Sequence, residues 1–277
     1  MTIGDSPVWF PVFVTESLVI TIINVITIIA FARIRHLRQR STYLKINLTV
    51  ADLLVGAVTV PLYSLYKHQE NNVFPRAIRL TFLIASKVNL SLISLERLHA
   101  TRFPFKHCLI TKRLYLKIIV GSWLVTFAIA FVIANLTKEV RLYAWVSFSL
   151  LTLLVLTVSY IIVIVNVQRN PHSQNHGSVH MERKLSVTLF IVAAVSVLTI
   201  LPWAIYKSIP VYLRDELPNA SPAVIRDMLG VIYFANCIVN PVVYAIRLQK
   251  FRKAFRNLVS KNTEPTGVNP LQLQTIS

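Results

Sequence analysis

The sequence contains little sulfur and little charge. Two of its 277 residues are cysteine, and Asp, Glu, Lys and Arg together make up 14% of the chain, well below the roughly 25% of soluble domains. Cys108 lies in a basic connection and Cys237 in an apolar segment, so we expect neither a disulfide nor a zinc site. With 55% hydrophobic residues, this composition indicates an integral membrane protein.

Other absences narrow the range of functions. The 6 Gly and 13 Pro form no short repeat, which excludes collagen-like and low-complexity chains. The HExxH, GxSxG and P-loop patterns are missing, so the sequence predicts no enzyme. The first 15 residues carry no basic segment before a cleavage site, and we therefore expect no removable signal peptide.

Seven apolar stretches are each long enough to cross a bilayer as a helix, which needs about 20 residues. They span residues 11–33, 43–66, 75–101, 114–135, 142–168, 183–208 and 223–246. Short alternating segments typical of a membrane barrel are absent. The sequence predicts an all-α membrane protein, a seven-transmembrane helix bundle.

Little of the chain remains outside this bundle, which covers residues 11–246. We expect an extracellular N-terminus at 1–10, an amphipathic helix on the inner membrane surface at 247–258, and a disordered cytoplasmic tail at 259–277.

The basic residues predict the orientation. Of the 29 Lys and Arg, 19 lie in the first, third and fifth connections and in the C-terminal tail, which places these segments in the cytoplasm. The net charge of +18 is then a topology signal and an attraction to anionic membrane lipids, not a sign of nucleic-acid binding. Glycosylation sequons at Asn135 and Asn219 fall in outer connections, whereas those at Asn47 and Asn89 fall inside helices and should be unused.

Polar residues inside the apolar stretches suggest a buried site, because such groups are costly in a bilayer. We expect one layer of polar side chains near mid-membrane, formed by Asn24, Asp52, Ser86, Asn236 and Asn240. Its oxygen atoms could bind sodium, a hard cation, as an allosteric modulator. The alternative is interhelical hydrogen bonding without an ion. Lys87, next to Ser86, could instead supply its own cation beside Asp52.

Seven short motifs occur in order, one in each apolar stretch. They are Asn24, "LTVADLL" with Asp52, "ERL" with Arg97, Trp123, Tyr160, Pro202 and "NPVVY" from Asn240 to Tyr244. On these residues the chain resembles the rhodopsin-like (class A) G-protein-coupled receptors over residues 11–258.

The resemblance implies a receptor that binds an extracellular ligand and activates heterotrimeric G proteins as the sixth helix moves outward. Glu96 and Arg97 would form an acidic-arginine pair at the inner end of the third helix, with Glu182 as a second partner for Arg97. The remaining implied switch residues are Tyr160, Pro202, Asn240, Pro241 and Tyr244. Receptor kinases and arrestin are further expected partners. Alternatively, Glu96 and Arg97 simply anchor the helix at the interface.

The chain also departs from the family pattern. Asn72, Ile200, Ser196 and Thr152 stand where the family usually has an outer Cys, a sixth-helix Trp, a nearby Phe and a fifth-helix Pro. The second outer loop, about Leu136 to Arg141, is very short. These features resemble the melanocortin, lysophospholipid, cannabinoid and adenosine receptor group.

The ligand is constrained by two positions. Arg79 stands where amine receptors carry Asp, and Phe234 stands where opsins carry the retinal lysine. Arg76 and Arg79 share one face of the third helix and could bind an anionic or lipid-like ligand. Pairing of these arginines with Glu16, Glu70 or Asp227 is the alternative. As other functions, a seven-helix receptor without G-protein signalling and a small transporter or channel stay open.

Overall fold

The computed structural model describes residues 8–33, 40–66, 72–169, 191, 194–209 and 222–247. All regular elements within these residues are helical, so the prediction of an all-α fold is confirmed. In chain order the long helices are α1 Trp9–Arg33, α2 Thr42–Tyr66, α3 Val73–Arg102, α4 Lys112–Asn135, α5 Lys138–Arg169, α6 Ala194–Ser208 and α7 Pro222–Arg247. A short helix, Pro104–Leu109, joins α3 to α4.

Six of the described helices are long and apolar enough to cross a membrane, and α6 is a shorter apolar helix. The predicted start of the sixth span at 183 and the segment from 248 to 277 lie outside the described residues. Because α1 begins at Trp9, two residues before the predicted boundary, Pro11 falls in its first turn, where a missing N–H costs nothing.

The connection between α4 and α5 is shorter than the sequence indicated. Helix α4 ends at Asn135 and α5 begins at Lys138, leaving only Leu136 and Thr137 between them. The predicted loop from Leu136 to Arg141 is therefore wrong at its far end. The first turn of α5 contains Glu139, and a negative charge there is favourable beside the helix dipole.

Helix α3 lies at the centre of the bundle and packs against α2, α4 and α5, while α1 packs against α2 and α7. On the outside, α4 exposes a stripe of large apolar side chains at helical spacing: Val120, Leu124, Phe127 and Phe131. Only lipid accommodates such a stripe without cost. Packing and exposure together indicate a bundle surrounded by hydrocarbon.

Helix α1 runs from one end of the bundle, the Trp9 end, to the other, the Arg33 end. At the Trp9 end, Phe13 meets the edges of Tyr63 and Phe234, with ring centroids 5.3 and 6.3 Å apart. At the Arg33 end, Phe31 packs edge-on against Tyr244 at 5.7 Å. These contacts join the ends of α1 to α2 and α7.

Helix α2 contains a π-helical segment, Val55–Thr59. It ends just before Pro61, which has no N–H to donate to the carbonyl of Ala57 and so disturbs the regular α-helical ladder. The segment brings α1 close, and the Ser17 hydroxyl donates to the carbonyl oxygen of Gly56 at 2.7 Å. A Cβ on Gly56 would lie 2.6 Å from Cγ2 of Ile20, so only glycine fits there.

We expect Gly56→Ala to destabilise the protein by about 1–3 kcal/mol, because the added methyl overpacks the α1–α2 contact. Thermal unfolding of the purified protein in lipid nanodiscs would measure this change. Gly121→Ala is the matched control, since a Cβ there meets nothing within 4 Å and alanine favours a helix over glycine. Equal melting temperatures for the two variants would contradict the close approach.

Candidate functional site

Glu96 and Arg97 form an ion pair near the C-terminal end of α3, at the Arg33 end of the bundle. The Arg97 Nη2 atom donates to Glu96 Oε1 at 3.0 Å, and Arg97 Nε lies 2.6 Å from Glu96 Oε2. The Glu96 side chain is 7% exposed and that of Arg97 17%. The structure thus brings these two predicted residues together as a largely buried pair.

Two further side chains contact the Glu96 carboxylate. The Tyr115 hydroxyl donates to Glu96 Oε1 at 3.2 Å, and His107 Nε2 lies 3.3 Å from the same oxygen. Burial lowers the pKa of the His107 imidazole, outweighing the opposite effect of Glu96. The lowered pKa favours the neutral imidazole, so Arg97 is the cation that pairs with Glu96.

The tyrosines of the predicted switch are buried nearby. Tyr160 belongs to an apolar cluster with Tyr115, and its hydroxyl has no hydrogen-bond partner within the described residues. Tyr244 packs against Phe31. Pro202 lies inside α6 and Pro241 inside α7, whereas Glu182 lies outside the described residues, so its contact with Arg97 stays a prediction.

The Asp52 carboxylate connects three helices at mid-membrane. Asp52 is fully buried on α2. The Ser86 hydroxyl of α3 donates to Oδ1 at 2.5 Å, and the Asn240 amide of α7 donates to Oδ2 at 2.9 Å. Two of the residues predicted for the polar layer, Ser86 and Asn240, therefore bind a third, Asp52, directly.

The other two members bind elsewhere. The Asn24 amide donates to the carbonyl of Cys237 on α7 at 3.2 Å, and its buried Oδ1 has no partner within the described residues. Asn236 Oδ1 accepts from the Ser196 hydroxyl of α6 at 2.9 Å. Carboxylate, hydroxyl and amide oxygens suit a hard cation, and the orphan Asn24 oxygen leaves one acceptor unused in this layer.

A second polar link was not predicted. The Trp123 indole N–H donates to Asn47 Oδ1 at 2.9 Å, and the Asn47 amide donates to Asn89 Oδ1. This link joins α4, α2 and α3. From the sequence, Asn47 and Asn89 were interpreted only as sequons that fall inside helices. Two amides within apolar helices need hydrogen-bond partners, and this requirement could have predicted the link.

A cavity of about 290 Å³ opens at the Trp9 end of the bundle. Its wall combines aromatic and aliphatic side chains with basic ones. The basic lining residues are Arg76, Arg79, Lys138, Arg141, Lys207 and Arg226. No Asp or Glu lines the cavity among the described residues, so the charged side chains of its described wall are all basic.

All six basic lining residues have partners within the protein. Arg76 donates from Nε and Nη2 to the carbonyl oxygen of Ala134, at 3.0 and 2.7 Å. Arg226 pairs with the buried Asp227 at 3.0 Å. The carboxylate oxygens of Glu16 have no hydrogen-bond partner in the described part of the chain, so Glu16 does not neutralise the cavity. Glu70 lies outside the described residues.

Four buried polar atoms of the cavity wall have no hydrogen-bond partner within the described residues. They are Thr59 Oγ1, Tyr63 Oη, Arg226 Nη2 and Tyr233 Oη. Each atom carries a proton that it can donate. An unpaired buried donor costs about 1–3 kcal/mol, so a ligand with acceptor oxygens would relieve several such costs together.

Lys87 points away from Asp52. Its ammonium donates to the Ser149 hydroxyl of α5 at 2.6 Å and lies 4.3 Å from the Trp145 ring centroid and 5.0 Å from that of Tyr233. No ion pair joins Lys87 to a carboxylate among the described residues. The structure does not support the expectation that Lys87 supplies a cation to Asp52.

We expect Ser86→Ala to lower stability by about 1–3 kcal/mol, because it removes a hydrogen-bond donor from a buried carboxyl group. Thermal unfolding in nanodiscs again measures the change. Ser122→Ala is the control: within the described residues, its hydroxyl donates to the carbonyl of Ile119 in the same helix and to nothing else. If Ser86→Ala were as stable as this control, the bond to Asp52 would contribute nothing.

The sequence matches known receptors over most of its length. The family described as "7 transmembrane receptor (rhodopsin family)" matches residues 23–143 and 133–244. Similar proteins include mouse (Mus musculus) neuromedin-U receptor 2, which is 25% identical over 86% of this chain and 71% of its own length. The guinea pig (Cavia porcellus) histamine H2 receptor is 26% identical over 85% of this chain and 74% of its own.

The alpha-1A adrenergic receptor of Oryzias latipes is 23% identical over 85% of this chain, which spans 63% of that receptor's length. The family match covers both the ion pair at the Arg33 end and the cavity at the Trp9 end. Together with a bundle of apolar helices, it identifies the chain as a member of the rhodopsin family of seven-transmembrane receptors, and hence as a multi-pass membrane receptor rather than an enzyme.

Proposed function

We propose that the chain is a cell-surface receptor with an extracellular N-terminus. It binds an anionic ligand in the cavity at the Trp9 end and activates heterotrimeric G proteins at the Arg33 end. The observation that carries this proposal is the Glu96–Arg97 pair, held at 2.6 Å in a largely buried setting at the opposite end of the bundle from the cavity.

The ion pair supports a two-state switch. A buried Arg that loses its carboxylate needs a new partner, since an unpaired buried charge costs about 3–5 kcal/mol. A G protein can offer such a partner when α6 moves outward, and Tyr160, whose hydroxyl lacks a described partner, can support the open state. The two arrangements then differ by the exchange of one set of contacts for another.

The cavity supports an anionic ligand. Six basic side chains line it, and Arg in particular grips carboxylate or phosphate groups with two parallel bonds. Its remaining wall includes Trp145, Trp203 and Leu83, which suits an apolar or aromatic portion. The names of two similar proteins point to histamine and adrenergic ligands, but Arg79 in place of an Asp argues against an amine here.

The orientation follows from charge. Basic residues concentrate in the connections at the Arg33 end, which supports a cytoplasmic location for that end. Asn135 is exposed at the other end, at the close of α4, where a sequon can be glycosylated. The second sequon, at Asn219, lies outside the described residues.

One alternative has a specific observation in its favour. Where family members usually carry an aromatic switch on the sixth helix, this chain has Ile200 and Ser196. Ser196 is bound to Asn236, which ties α6 to α7. A receptor that binds its ligand without G-protein signalling would tolerate these changes, and G-protein recruitment by variants of Arg97 and Glu182 separates the two functions.

We expect Arg97→Ala to abolish ligand-free G-protein recruitment and Glu182→Ala to raise it, because the first removes the G-protein contact and the second loosens the inactive state. Recruitment would be measured in cells across the main G-protein classes at matched surface expression. Arg102→Ala, an exposed basic residue five positions further along α3, is the control. An unchanged signal in both variants would favour the receptor without signalling.

We also propose that sodium modulates the receptor at the layer around Asp52. The layer offers oxygens from Asp52, Ser86 and Asn240, and the buried Asn24 oxygen that lacks a described partner. Because Lys87 is directed to Ser149, its ammonium does not fill this place.

We expect sodium chloride to raise the melting temperature relative to N-methylglucamine chloride at equal ionic strength. At about ten times the dissociation constant the gain would be about 1.4 kcal/mol. Asp52→Asn should remove this difference, since it removes the charge that holds the ion. If wild type melts identically in both salts, the layer works through hydrogen bonds alone.

A further inference from the structure

Lys87 is a buried lysine whose ammonium group is surrounded by two aromatic rings and one hydroxyl. Its side chain is 5% exposed. Its described contacts are the Ser149 hydroxyl and the faces of Trp145 and Tyr233. Such a charge in a membrane-spanning helix is a functional feature by default, because apolar packing would be less costly at the same position.

The two rings that hold Lys87 also form part of the cavity wall. Trp145 and Tyr233 both line the cavity, and Lys87 itself does not. A ligand against these rings therefore meets the charge of Lys87 through them. The Tyr233 hydroxyl is in addition one of the four wall atoms with no hydrogen-bond partner in the described residues.

A cation on one face of an aromatic ring changes what the ring can bind. The π-electrons already interact with that cation, so the ring attracts a second cation less. The Tyr233 hydroxyl becomes a stronger donor beside a positive charge. A ligand atom in contact with the Trp145 ring would lie about 8 Å from the ammonium, where a unit charge at an effective dielectric of about 20 changes a binding constant by roughly 30-fold.

We propose that Lys87 is a specificity-determining residue that acts through Trp145 and Tyr233. It selects a ligand whose buried end carries an anionic oxygen group, such as a phosphate or carboxylate, and it rejects one that carries an ammonium group there. This inference rests on the proposed function in one respect, namely that the cavity is the ligand site. It adds a residue outside the cavity wall that sets the sign of charge the cavity accepts.

The arrangement separates two roles of positive charge. Lining residues such as Arg79 and Lys207 can contact the ligand directly, whereas Lys87 is withheld from it by two rings. A neutral residue at 87 would leave the lining cations in place and still weaken the preference for an anion. A merely structural role for Lys87, tying α3 to α5 through Ser149, predicts instead a loss of stability and no change of preference.

The test uses the full chain in nanodiscs of phosphatidylcholine and two probes that share a phenyl ring. Phenyl phosphate carries the anion and benzyltrimethylammonium the cation. Binding is followed as the shift of the melting temperature with probe concentration. The variants are Lys87→Met and Lys87→Gln, which remove the charge, and Lys87→Arg, which keeps it; Lys112→Met, an exposed lysine at the Arg33 end, is the control.

We expect phenyl phosphate to stabilise wild type, Lys87→Arg and Lys112→Met, and benzyltrimethylammonium to stabilise none of them. In Lys87→Met and Lys87→Gln, phenyl phosphate should bind roughly 30-fold more weakly and the ammonium probe should begin to bind. The melting temperature without probe should be equal to or above that of wild type, because a buried charge has been removed.

Equal binding of phenyl phosphate to wild type and to both neutral variants would overturn the proposal, as would a lower melting temperature with unchanged charge preference. If phenyl phosphate binds none of the proteins, the anionic ligand class fails and this inference fails with it. Ligand-free G-protein recruitment by the Arg97 series is measured without any probe, so it would still decide the signalling function separately.

Discussion

The carboxylate of Asp52 fixes the rotation of three helices, because the interior of a bilayer offers no water to take the place of its partners. Its two oxygens accept from α3 and α7. Successive residues of a helix project about 100° apart. Once Ser86 faces Asp52, Lys87 must therefore point toward α5, where the structure finds it against Ser149 and Trp145. The same constraint on α7 places Tyr233 at the cavity and Tyr244 at the opposite end.

Charge is distributed unequally between the two ends of the bundle. At the Arg33 end, Arg97 has a carboxylate partner within the same turn of helix. At the Trp9 end, basic side chains from α3, α5, α6 and α7 converge on one space, and Asp227 pairs with one of them, Arg226. The first arrangement pairs one acid with one base and can serve as a latch, whereas the charged side chains that line the described part of the second are all basic.

Much of the site could be read from the sequence because helix geometry is regular. Counting at a fixed rise per residue placed Asp52, Ser86 and Asn240 in one layer, and the seven motifs in order indicated the receptor family. The remaining features of the site depend on how each helix is rotated about its axis and on contacts between residues far apart in the sequence. The direction of Lys87 follows only when α3 is rotated correctly, and the approach of Lys207 and Arg226 to one cavity joins helices that no local pattern relates.

Two local features of the helices were not predicted from the sequence either. The π-helical segment of α2 depends on the combination of Pro61 with the close approach of Ile20 to Gly56, and Ile20 belongs to another helix. The link from Trp123 to Asn47 and Asn89 joins three polar groups that the sequence places in apolar helices. The two asparagines also match glycosylation sequons, and that match does not indicate a hydrogen bond between helices. The roles of Glu182 and of residues 248–277 stay predictions, because these residues lie outside the described part of the chain.

The contact of Arg76 with the end of α4 has a consequence for the conditions under which the receptor can mature. Both cysteines are free, and where related receptors usually have a covalent bridge at the start of α3, this chain has a guanidinium bound to the Ala134 carbonyl. A bond of this kind needs no oxidant to form and no isomerase to correct it, and thiol reductants do not cleave it. The cavity at the Trp9 end should therefore assemble, and keep its shape, in a reducing compartment as readily as in an oxidising one.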